Sequence, residues 1–93
     1  MSASRTVAEI YITPLGTGDA SLREYVRALR PLLDASGLHY EQTPLGTLVE
    51  GPLERILALT GELHAATFGA HVGAARVVTH LRIDERRDGE ATL

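Results

Sequence analysis

The chain has no cysteine, no tryptophan and a single phenylalanine among its 93 residues. Without thiols there is no disulfide framework, no cysteine nucleophile and no thiolate metal site, a composition compatible with a reducing compartment. Aromatic residues make up only 4% of the chain and the formal charge is −3. Nucleic-acid binders need a basic surface for phosphates and usually aromatic faces for exposed bases, so nucleic acid is not expected as a partner. The basic cluster Arg82, Arg86 and Arg87 is interleaved with Asp84, Glu85 and Asp88 and reads as a solvated strand end. No apolar run approaches the roughly 18 residues that span a bilayer. No signal-peptide core follows the short polar start at residues 1–6. The expectation is a soluble, cytoplasmic protein with no membrane partner.

What is present fits one domain over residues 1–93. A chain this size buries only about two-thirds of the surface its unfolded form exposes, so the core is thin and a leftover apolar face favours a partner subunit. Ala8, Ile10 and Ile12 alternate with Glu9, Tyr11 and Thr13, the period of a half-buried strand over residues 7–13 that Pro14 is expected to end. After a loop through Gly16, Thr17, Gly18 and Asp19, Ser21 and Glu24 fit a capping box. Leu22, Tyr25, Val26, Leu29, Leu32 and Leu33 then form one apolar stripe of a helix reaching Ser36. Gly37 is its left-handed stop, and Pro31 inside it predicts a kink.

Residues 38–43 and 46–50 read as two strands joined by the tight Pro44-Leu45-Gly46 link, which permits only an antiparallel hairpin. Gly51 and Pro52 open a second helix, with Leu53, Ile56, Leu57, Thr60, Leu63 and Thr67 on its buried stripe. The break at residues 69–73 precedes a last strand at 75–85, with Val77, Thr79, Leu81 and Ile83 on one face and Arg76, Val78, His80 and Arg82 on the other. The two ends, 1–6 and 89–93, carry no periodicity and are expected to be mobile. The order β-α-β-β-α-β is the split βαβ arrangement of an α+β, ferredoxin-like fold: a four-stranded antiparallel sheet with both helices on one face. Right-handed crossovers put the first and third strands in the centre. The open face would then carry Glu9, Tyr11, Thr13, Leu48, Glu50, Val78, His80 and Arg82, a mixed surface suited to a homo-oligomer interface with a ligand site inside it.

Few motifs carry chemistry of their own. The loop from Gly16 to Ser21 could cradle an anion on its amides, or be a plain capped turn; it lacks the lysine of a P-loop and the third glycine of a dinucleotide fingerprint. His39, His64, His71 and His80 show no metal-ligand spacing, and His64 reads as a hydrogen-bonded residue at the core's edge. No metal and no catalytic triad are expected. The repeated string Thr-Pro-Leu-Gly-Thr at 13–17 and 43–47 falls on unlike connections and does not mark a duplication. Glu9 and Glu50, beside Tyr11, would form a negative patch fit for an organic cation or a heteroaromatic base. Each could equally pair with an arginine such as Arg82 at a subunit interface.

Three longer strings, 12–18, 40–51 and 76–88, resemble in order and spacing the small thiamine-binding protein family, and the likeness covers residues 7–88. It implies a ferredoxin-like fold, homodimers or homotetramers joined through their sheets, and binding of thiamine or a related pyrimidine or thiazole compound. It implies no cofactor and no catalysis, in keeping with salvage or transport. Thiamine's cationic thiazolium would favour Glu9 or Glu50, and its aminopyrimidine could stack on Tyr11 or Tyr40 and hydrogen-bond Thr43 or Thr47. Its hydroxyethyl arm, or a phosphate on it, could reach the amides from Gly16 to Ser21, those of Gly16 and Thr17 among them. The ligand-binding set expected is therefore Glu9, Tyr11, Thr13, Gly16, Thr17, Thr43, Thr47, Glu50 and His80. Two alternatives remain open: a regulatory module sensing another metabolite, and a small enzyme using His80 as its titratable group. The segment 69–73 is longer than the family usually has before its last strand, which leaves the end of the second helix in question.

Overall fold

A computed structural model describes residues 5–15, 22–69 and 74–87. The elements are β1 (Arg5–Leu15), α1 (Leu22–Ser36), β2 (His39–Thr43), β3 (Gly46–Gly51), α2 (Leu53–Gly69) and β4 (Arg76–Arg86). They form one four-stranded sheet in the order β2-β3-β1-β4, antiparallel at every pairing. This is the ferredoxin-like α+β topology that the periodicity predicts.

The alternation in β1 does what its pattern demands. Ala8, Ile10 and Ile12 are buried beneath the helices with Val49 of β3, Leu29 and Leu33 of α1, and Ile56, Leu59 and Leu63 of α2. Burying each such side chain contributes roughly 1.5–3 kcal/mol, so this one layer supplies most of the drive to fold. Thr67 is also fully buried, and its hydroxyl donates to the Leu63 carbonyl at 2.7 Å, which satisfies it within the helix.

Three details differ from the sequence reading. Pro14 does not end β1, which runs on to Leu15 opposite Arg76. The β1–β3 ladder stops at Ile10 opposite Thr47, whereas the β1–β4 ladder continues. The Ile10 carbonyl points toward β3, at Gly46. Backbone groups alternate in direction along a strand, so the Pro14 nitrogen faces the same side, where β3 has already ended. The missing N–H is missing from a local edge. At the other end, Arg5 and Thr6 belong to the sheet rather than to a mobile tail. Thr6 lies between Gly51 and Glu85 and is buried, because strands on both sides tie it down. Residues 1–4 and 88–93 lie outside the described residues. On α2, Leu59 rather than Leu57 joins the core, and Leu57 is 48% exposed. The helix is apolar nearly all round, so counting apolar residues could not fix which stripe faces in.

Local stops follow their expected chemistry. Gly37 ends α1 with φ +74°, and Ser36 accepts from the Leu38 amide at 3.1 Å while donating to the Leu33 carbonyl at 2.6 Å. Arg55 at the start of α2 donates to the Ser36 carbonyl, so the second helix closes the first. The helix α1 runs through Pro31, which is exposed on its outer side. Ser21, the side chain of Glu24 and the segment 70–73 are not among the described groups.

Two glycines should respond in opposite ways to gaining a methyl group. Gly46 has φ +142°, and a Cβ there would stand 2.9 Å from the Ile10 carbonyl oxygen, a backbone atom that cannot swing away. Gly46→Ala is expected to cost about 1–3 kcal/mol. Gly61, mid-helix with open space around it, is expected to gain up to about 1 kcal/mol in Gly61→Ala. Urea denaturation of both variants checks the pair of signs.

Candidate functional site

The sheet divides the expected binding residues between its two sides. Cross-strand register puts Glu9 opposite Leu48 and Arg82, Tyr11 opposite His80, Thr13 opposite Val78, and Glu50 opposite Val7 and His39. These side chains share the open face. The Tyr11 and His80 rings lie 6.3 Å apart at 34°, a tilted pair with Tyr11 45% exposed. Glu9 and Arg82 are direct cross-strand neighbours there, which suits the arginine-paired alternative. The salient property of this face is mixed character: carboxylates, the β4 arginines Arg76, Arg82 and Arg86, and the apolar Val7, Leu48 and Val78 stand in adjacent rows.

Thr47 points the other way, toward the helices, between Ile10 of β1 and Gln42 of β2. There the structure has a small cleft, with about 70 Å³ of enclosed space that opens outward to solvent. Its floor is Ile10 and Ile12, and its walls are Val26, Leu29 and Leu33 of α1 with Leu63 of α2. Gln42, Thr43 and Thr47 supply polar groups at the hairpin end, and Tyr11, Pro44 and Gly46 complete the border. Apolar walls and a few grouped polar atoms are what small-molecule sites share.

The cleft exists because the two ladders have unequal lengths. β2 and β3 turn over at Pro44 and Leu45 while β1 and β4 continue to Leu15 and Arg76, so among the described residues no strand flanks β1 on the β3 side beyond the hairpin. The turn itself is locked by Thr43, whose hydroxyl accepts from the Leu45 amide at 3.1 Å and donates to the Gly46 carbonyl at 2.8 Å. That hydroxyl is committed to the turn.

Of the nine expected residues, Tyr11, Thr43 and Thr47 border the cleft, while Glu9, Thr13, Glu50 and His80 do not. Gly16 and Thr17 lie outside the described residues. Sequence reasoning missed Gln42. Its signal was available: it is polar at an inward-facing position of β2, two residues after the part-buried Tyr40, where a strand of this period should place an apolar group. Tyr40 itself donates to Asp34 of α1 and is engaged in structure. His64 sits where expected, its Nδ1 2.7 Å from the Thr79 hydroxyl and its ring edge-on to Phe68 at 5.7 Å. Among the described residues no three His, Asp or Glu side chains form a metal-binding group, and no helix is long and apolar enough to cross a membrane.

Comparison with known proteins gives one consistent result. A family described as thiamine-binding protein matches residues 8–93. The protein YqgV of Bacillus subtilis is 38% identical over 91 residues, covering 94% of this chain and 86% of its own. A hypothetical protein of Methanocaldococcus jannaschii, solved by crystallography, superposes with TM-score 0.83 at 38% identity, covering 96% of this chain and 88% of its own. A Thermotoga maritima protein proposed to act in thiamine biosynthesis or salvage superposes with TM-score 0.76 at 28% identity, covering 91% and 87%.

The committed hydroxyl of Thr43 gives a test of the turn. Thr43→Val is expected to lower stability by about 1–2 kcal/mol, since it removes two hydrogen bonds from the hairpin, and thermal melting measures the loss.

Proposed function

The chain belongs to the thiamine-binding protein family, and from that premise we propose that it binds thiamine, or a related pyrimidine or thiazole compound, without transforming it. The role this serves is salvage or transport of the vitamin. The observation that carries the reading is the cleft under α1. Its uncharged apolar walls suit the flat, neutral aminopyrimidine ring, and the Gln42 carboxamide can donate and accept at once, as the ring's amino group and nitrogens require. Thr47, half-buried at the same end, adds a further hydroxyl. The cationic thiazolium is costly to bury among these walls and belongs at the mouth, in water.

A second placement rests on a different observation. Tyr11, His80 and Glu9 lie together on the open face, where a thiazolium would meet a carboxylate and an aromatic ring. That site would be completed by a second copy of the chain stacked on the same face, in a homodimer or homotetramer. One ligand cannot use both sides of the sheet, so the two placements separate cleanly.

Calorimetric titration with thiamine, thiamine monophosphate and the bare aminopyrimidine tests the function. Saturable binding near one ligand per chain is expected. Gln42→Leu should weaken it roughly tenfold or more, because a ring atom loses its partner on leaving water. Glu50→Gln should leave it unchanged. The reverse pattern moves the ligand to the open face; no saturable heat with any of the three compounds overturns the reading.

A further inference from the structure

The helix α1 is held unevenly along its length. Among the described side chains, its polar ties to the rest of the chain lie beyond Pro31. Tyr40 of β2 donates to the Asp34 carboxylate, Arg55 of α2 donates to the Ser36 carbonyl, and the Ser36 hydroxyl accepts from the Leu38 amide at 3.1 Å. Apolar anchoring follows the same gradient. Leu33 is 1% exposed and Leu29 6%, while Val26, nearer the start of the helix, is only part-buried. The half of α1 before Pro31 is also the half that stands over the cleft, which Val26 and Leu29 line together with Ile10 and Ile12.

Pro31 sits where a bend in α1 acts on that space. It has no N–H to give to the Arg27 carbonyl one turn earlier, and its ring crowds that carbonyl, so the helix opens on the side that carries both residues. Both are exposed. Pro31 is two residues from Leu29 and two from Leu33, which at about 100° per residue puts it nearly opposite these two cleft walls. Opening the outer side tips the first half of α1 inward, toward β1. A bend of about 20° carries the first turn of the helix by about 4 Å, roughly the thickness of one flat ring.

We propose that Pro31 is a hinge, and that the half of α1 before it is a lid that closes on a flat ring lying over Ile10 and Ile12. Pro31 is thus a positioning residue: it moves the cleft walls without touching the ligand. Alanine at this exposed helical position would be more stable, so the proline costs stability that a rigid wall would not require. The lid rests on the reading of the cleft as the binding site, whereas the hinge is a property of the free chain.

Because the chain has no native cysteine, spin labels on introduced ones report only the chosen positions. Arg23→Cys with Glu41→Cys spans from the first turn of α1 to β2, and Ala35→Cys with Glu41→Cys spans from the half beyond Pro31. In the free protein the first pair is expected to give the broader spread of distances by double electron–electron resonance. Adding Pro31→Ala should narrow that spread to the width of the second pair. Saturating thiamine should shorten the first distance by about 2–4 Å and leave the second in place. Without labels, Pro31→Ala should raise the melting temperature by several degrees yet weaken thiamine binding roughly threefold or more in calorimetry. A proline with a structural role alone would change stability and leave affinity as it was. Equal spreads for the two pairs in the free protein overturn the proposal, and so does saturable thiamine heat with an unmoved first distance. No thiamine heat at all sinks the ligand reading instead, and the free-protein distances still decide the hinge.

Discussion

Gly46 carries no side chain because the carbonyl oxygen of Ile10 stands where one would begin, 2.9 Å from the position of a Cβ. That close approach lets β3 join β1 directly after the hairpin, with Thr47 opposite Ile10. Beyond Ile10, β1 continues with β4 alone, and among the described residues the space above Ile10 and Ile12 is walled by α1 and by Leu63 of α2. Thr43 holds the turn from the other side by satisfying both the Leu45 amide and the Gly46 carbonyl. One backbone contact and one hydroxyl thus set the shape of the hairpin end of this cleft.

How much of this could be read from sequence depends on whether the signal is local. Strand alternation in β1 and β4, the Gly37 stop and the two-residue hairpin are local patterns, and each appears where the residues put it. The stripe of α2 is not a local matter. Leu57 and Leu59 are equally apolar, and only the position of β1 and β4 beneath the helix decides that Leu59 turns in. Pro14 is a case where a correct rule meets an unforeseen context. Proline does avoid paired positions, but the sequence carries no sign that β1 loses its partner on that side four residues earlier. The site suffered most, because a cleft is made by unequal ladder lengths, and ladder length is a pairing property that no single segment encodes. Glu9 and Glu50 drew attention as charges, while Gln42, the polar group the fold turns inward, is inconspicuous in a strand of mixed residues.

The sheet has two faces with different chemistry, and thiamine is a molecule with two rings of different chemistry. Its pyrimidine is neutral and rich in hydrogen-bonding atoms; its thiazolium is a fixed cation. An uncharged slot with a carboxamide at one end fits the first, and an exposed carboxylate beside an aromatic pair fits the second. The cleft has the advantage that a ligand there displaces water from walls that are already formed. The open face in one chain carries a wide, open depression lined by Val7, Glu9, Leu48, Arg82 and Asp84, and it becomes an enclosed pocket only when something covers it. Binding on that face would therefore depend on protein concentration, whereas binding in the cleft would not.

Cleft and open face lie on opposite sides of the sheet, yet they share β1, and Tyr11 borders both. Ile10 and Ile12 form the cleft floor, Glu9 and Tyr11 stand on the reverse of the same strand, and all of it pairs with β4. A ligand that fixes the floor also fixes the strand that carries Glu9 and Tyr11 on the open face. Coupling between a ligand in the cleft and anything seated on the open face can pass through that strand, and by linkage it acts equally in both directions. The core beneath α1 is close-packed around β1, with Val49 and Ile56 wholly buried against it. A strand held so tightly is a stiff connection: it transmits position well and leaves little slack to be tightened. The coupling expected from such an arrangement is accordingly small, and ligand binding and assembly behave as nearly independent events.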